Sequence, residues 1–178
     1  MSSASATYTY TRAADVVTDV IAHSPCADGS ASMWVVNKYV KEKRPDAKIR
    51  WIPAYPNSEL PSGLEGKHVM VLDITFNSER TKTLINMCAS VMILDHHKTA
   101  QNDLADIPEN NKIFDMNKSG CGITWNYCFP GKEMPLFLQC IQDNDLWAFK
   151  LKQTKDFANY LSSVDLADRN EMFTMFDL

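Results

Sequence analysis

The chain has no apolar run approaching the roughly 18 residues that cross a bilayer, no CxxC pair and no excess of positive charge, and each absence removes a class of protein. No membrane-spanning helix is expected, and no membrane partner. The five cysteines, Cys26, Cys88, Cys121, Cys128 and Cys140, are odd in number and scattered. That speaks against a secreted disulfide framework or a structural zinc finger and leaves reduced thiols in an intracellular protein. Lys and Arg number 18 against 22 Asp and Glu, for a net charge of -4. Broad attraction to duplex nucleic acid is therefore not expected, while a local basic groove for a short anionic substrate stays compatible. The N-terminus has neither the basic region nor the apolar core of a signal peptide. A lone Arg12 is poor support for organelle targeting, so the expected location is cytoplasmic. Internal repeats are lacking too, and the one biased tract is the Ser/Thr-rich start, read as a flexible tail over residues 1–15.

What is present suits one compact domain over residues 16–178: 178 residues, 45% hydrophobic and 22% charged, enough for a sizeable core. Strands are expected over Val16–Ala22, Lys48–Ala54, His68–Leu72, Val91–Leu94 and Lys112–Phe114. Helices are expected over Ser30–Lys43, where Met33, Trp34, Val36 and Val40 recur at helical spacing and Pro45 ends the run, and over Ser78–Ala89 with a serine cap. Further helices are read over Gly120–Tyr127, Pro135–Gln142, Lys155–Leu161 and Arg169–Phe176. Strands alternating with helices predict an α/β fold, a mainly parallel, Rossmann-like sheet with helices on both faces.

Residues 91–97, VMILDHH, are the most informative stretch. Four apolar residues followed by Asp95, His96 and His97 read as a buried strand that delivers polar groups to its carboxyl end. Asp offers a hard anionic oxygen and neutral His a borderline nitrogen, a pairing that suits a divalent ion. Neighbouring side chains on a strand point to opposite sides, so His96 and His97 are expected to have different jobs. His23 and Asp73 fall at the ends of two other expected strands, and open α/β sheets bind ligands outside those carboxyl ends. His68 begins a strand, at the wrong rim, and is read as structural.

Four ordered segments carry a resemblance: His23-Ser-Pro-Cys26-Ala-Asp28-Gly29, Leu72-Asp73, Leu94-Asp95-His96-His97 and Gln142-Asp143-Asn144-Asp145-Leu146-Trp147. Together they resemble the DHH phosphoesterase superfamily over roughly residues 16–163. That family includes single-strand exonucleases, nanoRNases, cyclic-dinucleotide phosphodiesterases, exopolyphosphatases and manganese pyrophosphatases. The resemblance implies metal ligation by His23, Asp28, Asp73, Asp95, His96 and Asp143, with Asp73 bridging two Mn²⁺ or Mg²⁺ ions and His97 facing the substrate as phosphate binder or proton donor.

Many members have Asp-x-Asp in the first segment, whereas Cys26 stands at the first of those positions here. It is either a thiolate ligand that softens the site towards Zn²⁺ or Fe²⁺, leaving the second ion weaker, or a small side chain filling a tight loop. Asp143 and Asp145 compete for the fourth segment. Asp143 is favoured because it directly follows the apolar stretch Leu136–Ile141, leaving Asp145 to orient a ligand by hydrogen bonding. Ser119 and Gly120, opening a helix, are either a phosphate-binding N-terminus or an ordinary helix start. Lys98 is either a second phosphate contact or a solvated lysine, and Trp147 is assigned to the core over base stacking.

The expected activity is metal-dependent phosphodiester hydrolysis on a small nucleotide or short oligonucleotide. The alternatives are a pyrophosphatase or polyphosphatase, and a catalytically reduced DHH-fold module that binds or assembles in a complex. Most DHH enzymes append a second, substrate-selecting domain, for which too few residues follow Leu161. A partner protein or an oligomer is expected to replace it.

Overall fold

A computed structural model describes residues 12–177. Its centre is a five-stranded, all-parallel sheet in the order β2-β1-β3-β4-β5, built from β1 (Asp19–His23), β2 (Arg50–Ala54), β3 (His68–Leu72), β4 (Ser90–Asp95) and β5 (Lys112–Phe114). The helices are α1 (Ala13–Val16), α2 (Ala27–Lys43), α3 (Ser78–Met87), α4 (Lys98–Asp103), α5 (Gly120–Cys128), α6 (Leu136–Asp145), α7 (Thr154–Leu161) and α8 (Arg169–Phe176). The expected α/β fold with helices around a parallel sheet is what the chain adopts.

Strand alternation explains the layers. Val20, Ala22, Met70, Leu72 and Leu94 face a core shared with Trp34, Ile123, Leu138 and Phe176 from α2, α5, α6 and α8. Ile21, Val69, Val71, Val91 and Ile93 face the opposite side and pack on Leu84 of α3, Leu104 and Ile107. Successive side chains of a strand point to opposite faces, so a strand apolar at every position is one covered on both sides. Burying each such aliphatic side chain contributes about 1.5–3 kcal/mol. An aromatic group anchors the C-terminal helix, with Phe137 stacked on Phe176 at 5.1 Å between centroids and edge-on to Trp34 at 5.0 Å.

Several boundaries differ from expectation. Residues 1–11 of the expected tail lie outside the described residues, but Ala13–Val16 form a helical turn with Ala14 fully buried. Val16 is therefore helical and β1 begins at Asp19, because Asp15 draws the chain into that turn by accepting from Arg12 N (3.0 Å) and Tyr39 Oη (2.5 Å). The cap of α3 is Asn77, whose side chain accepts from Arg80 N, rather than Ser78. Among the described residues, no helix is long and apolar enough to cross a membrane.

The strand order sets the position of a site. From β1 the chain moves to one side for β2 and to the other for β3, so the connections diverge between β1 and β3. That divergence opens a crevice at the carboxyl ends of the two strands. His23 and Asp73 stand there.

Candidate metal centre

Each side chain of the centre is placed by a strand end or by a helix turn pressed against one. His23 closes β1. Two turns of the chain later α2 starts so close to it that a Cβ on Gly29 would lie 2.0 Å from the His23 carbonyl oxygen. Only glycine allows that approach, which brings Cys26 and Asp28 beside His23. Asp73 follows β3 in left-handed backbone, with φ of 57°. Asp and Asn tolerate that conformation better than other non-glycine residues. Asp95 ends β4 fully buried, and His96 and His97 follow it.

Asp73 lies at the middle. Its Oδ2 is 3.6 Å from both His23 Nδ1 and Cys26 Sγ, and its Oδ1 is 3.3 Å from His96 Nε2. His96 Nε2 is also 3.7 Å from Asp28 Oδ2 and 3.4 Å from Asp145 Oδ2. Three overlapping groups, each with ligand atoms within 4.8 Å of one another, result: His23, Cys26 and Asp73; Asp28, His96 and Asp145; and Asp73, Asp95, His96 and His97. Asp95 Oδ1 accepts from His96 N (2.7 Å) and from His97 Nδ1 (2.7 Å), so it orients both histidines. The His97 ring is half-exposed and lines a cavity of about 240 Å³ together with His23, Asp73 and Asp95. On the other flank a cavity of about 320 Å³ is lined by Cys26, Asp28 and Asp145 with Ile141, Phe157 and Leu161.

The electrostatics are unbalanced. Asp73 Oδ1, Asp95 Oδ2 and Asp145 Oδ2 are buried without a hydrogen-bond donor. Burial, with the charges of Asp73 and Asp145 added, raises the Asp28 carboxyl to about 7. Burial also raises Asp145. Asp73 is held at about 2, because the neighbouring imidazoles of His23 and His96 outweigh its burial. The same contacts act on the imidazoles. The neighbouring Asp73 carboxylate, then Cys26, pushes His23 up to about 10, and His96 rises to about 9 against its burial through Asp73, Asp145 and Asp28. The hydrogen bond with Asp95 raises His97. A group of buried acids that shares protons with imidazoles is where a divalent cation is most favourable, since unpaired buried charge is costly.

Several expected roles differ in the structure. Asp143 is outside the centre: its carboxylate accepts from Lys150 N (2.9 Å), Leu151 N (3.0 Å) and Thr154 Oγ1 (2.5 Å) and ties the segment after α6 to α7. Asp145 takes the place beside His96. The helix phase explains the exchange, since Leu138, Ile141 and Asp145 follow one another by three and four residues on one stripe. That spacing was readable in the sequence.

Ser119 and Gly120 do open α5, but their donors are spent internally. Ser119 Oγ and Cys121 N bond Asp28 Oδ1 at 2.8 Å each, and Gly120 N bonds Asp28 Oδ2 at 2.6 Å. The carboxylate of Asp28 occupies this helix N-terminus. A Cβ at position 120 would lie 2.7 Å from Asp73 Cβ, so glycine is needed for α5 to reach the carboxylates. Trp147, assigned to the core, is 81% exposed. Lys98 opens α4, a helix not anticipated from its polar sequence, and its ammonium rests on Gln101 Oε1 at 2.9 Å. His68 bonds Ser90 Oγ through Nδ1 at 2.9 Å, a structural contact at the far rim.

The fold and the site define an α/β protein with a carboxylate–imidazole cluster at the switch point of a parallel sheet. No protein-family model matches the chain. An uncharacterized protein of Acanthamoeba polyphaga mimivirus is 38% identical over 156 residues, which covers 82% of this chain and 37% of that protein. The chain thus spans little more than a third of the length of that curated relative. Among solved structures, an uncharacterized protein from Helicobacter pylori aligns with a TM-score of 0.56 at 14% identity, covering 75% of this chain and 45% of that one, a likeness of fold.

Proposed function

We propose that the chain is a divalent-metal-dependent phosphohydrolase of the DHH phosphoesterase type, a phosphodiesterase acting on a small nucleotide or short oligonucleotide. The observation that carries this reading is the meeting of His23, Asp28, Asp73, Asp95, His96 and Asp145 at one rim with three buried carboxylate oxygens that lack a donor. The donor set fits Mn²⁺ or Mg²⁺, hard oxygens with a minority of imidazoles, and Cys26 adds one softer atom beside His23 and Asp73. His23, Cys26 and Asp73 would hold one ion and Asp28, His96 and Asp145 a second, with Asp73 between them. Such ions supply an acidified water and polarise a phosphoryl oxygen.

The chain's own groups do the remaining work. Asp95 fixes the His97 ring through Nδ1 and holds the His96 main chain through its N–H. His97, half-exposed and with its pKa raised by Asp95, offers a proton and a charge to a phosphate at the rim. Lys and Arg are absent from the ion pairs of Asp28, Asp73, Asp95 and Asp145 among the described residues, an arrangement less suited to the higher charge of pyrophosphate or polyphosphate.

The test is hydrolysis of a chromogenic phosphodiester, a dinucleotide, a cyclic dinucleotide and pyrophosphate with and without Mn²⁺, alongside metal analysis. Mn²⁺-dependent cleavage of a phosphodiester is expected, falling by more than about 100-fold in Asp73→Asn, which keeps a residue tolerant of left-handed backbone. A protein that binds no divalent ion and cleaves none of these substrates sinks the proposal.

A further inference from the structure

Segment 146–153, between α6 and α7, carries two aromatic side chains away from the body of the protein. Trp147 is 81% exposed and Phe149 38% exposed, and their rings meet edge to face with centroids 5.6 Å apart. Both residues sit in left-handed backbone, with φ of 53° and 47°. Bulky side chains rarely adopt that conformation, and it persists only where surrounding contacts impose it. Here Asp143 imposes it. Its carbonyl oxygen accepts from Ala148 N at 3.0 Å and Phe149 N at 3.4 Å, while its carboxylate holds Lys150 N, Leu151 N and Thr154 Oγ1. A buried, fully bonded acid thus fixes two aromatic rings that contribute little to the core.

The location gives the pair a use. Asp145 belongs to the metal centre, and Trp147 is only two residues further on, so their Cα atoms are at most about 7 Å apart. Cations accompany the rings: Lys155 Nζ lies 5.7 Å from the Phe149 centroid, and Lys150 and Lys152 are exposed on the same segment. Exposed aromatic faces beside lysines are the combination that binds single-stranded nucleic acid without reading its sequence.

We infer that Trp147 and Phe149 form a stacking subsite for a nucleobase of a short single-stranded oligonucleotide whose scissile phosphate lies at the metal centre. This rests on the phosphodiesterase reading and names its substrate side. The ring of Trp147 takes the face of the base, and Lys150, Lys152 and Lys155 attract the flanking phosphates. The overall acidity of the chain confines this attraction to the local segment.

The test compares a dinucleotide with the same compound lacking one base, using kcat/KM with Mn²⁺ and, separately, fluorescence anisotropy of a labelled dinucleotide. The preference for the base-bearing substrate is expected to fall about tenfold in Trp147→Ala and to return in Trp147→Phe, the scale of one base–aromatic stack. Phe149→Ala, a second exposed site, should lower it less. Wild-type preference retained in both alanine variants overturns the subsite while leaving hydrolysis intact. If the wild type cleaves neither compound, the hydrolase reading fails and anisotropy still decides: weaker dinucleotide binding in Trp147→Ala supports the subsite, and unchanged binding overturns it. A smaller molecular mass for Trp147→Ala with unchanged dinucleotide affinity makes the rings a protein–protein contact and also overturns it.

Discussion

Asp143 and Asp145 share the last turn of α6, two residues apart, with opposite surroundings. Asp143 accepts two main-chain N–H groups and a threonine hydroxyl, and those bonds hold its pKa below the ordinary value despite burial. Asp145 has a buried oxygen with no donor, faces His96 at 3.4 Å, and has its pKa raised by burial. A satisfied carboxylate stabilises the fold that surrounds it, whereas an unsatisfied one is retained against a cost. The difference separates a residue that shapes a loop from one whose surroundings suit the proposed cation, although the two are the same amino acid on the same helix.

The largest expected effect breaks the pair apart. Asp145→Asn should lower Mn²⁺-dependent kcat/KM by more than about 100-fold while the metal-free protein melts no lower than wild type. Asp143→Asn should do the reverse in kind, lowering the melting temperature because one of the two oxygens that accept from Lys150 N and from Leu151 N becomes an NH2 group that cannot accept. Equal loss of activity at equal stability in both variants would remove the distinction. Thermal melts with and without Mn²⁺ sharpen it next. Saturating metal stabilises a folded site by about 2.7 kcal/mol at 100 times its Kd, so the wild type and Asp143→Asn should both gain in melting temperature, and Asp145→Asn should gain much less.

The smallest effect is in pH. His23 and His96 are raised to about 10 and about 9, so the stability they give the metal-free protein is complete below their unfolded value near 6.5 and is lost as pH rises through 9 to 10. Asp28 acts in the same direction, at lower pH. Its pKa, raised to about 7, makes it cost stability progressively between about pH 4 and 7. Metal-free melts should therefore decline towards alkaline pH. Mn²⁺ should offset that decline, because ligation needs the imidazoles neutral and the carboxyls ionised. A metal-free melting temperature that climbs between pH 8 and 10 would contradict the assigned proton sharing.

Much of the sheet was legible because buried parallel strands are short apolar runs. The limits of β3 and β5 agree with the sequence reading, and His23, Asp73 and Asp95 reach one rim because they end such runs. Helix α4 was hidden because Lys98–Asp103 carries a single buried apolar residue, Ala100. The end of the apolar stretch points to Asp143, whereas helix phase selects Asp145. Hydrophobicity points Trp147 to the core but says nothing of a backbone that Asp143 turns outward. Ser119 and Gly120 are legible as a helix start suited to an anion, but that the anion is a side chain of α2 depends on contacts across the fold.

The bonds from α5 to Asp28 span 91 to 93 residues of sequence. A growing chain that has not yet reached Cys121 already contains His23, Asp28, Asp73, Asp95 and His96, but not the donors that fix Asp28, and Asp145 is made later still. The centre is therefore assembled only once α5 and α6 have been synthesised. The proposed cation site is thus complete only when α5 and α6 have packed, and chains that lack them have no finished pocket for an ion.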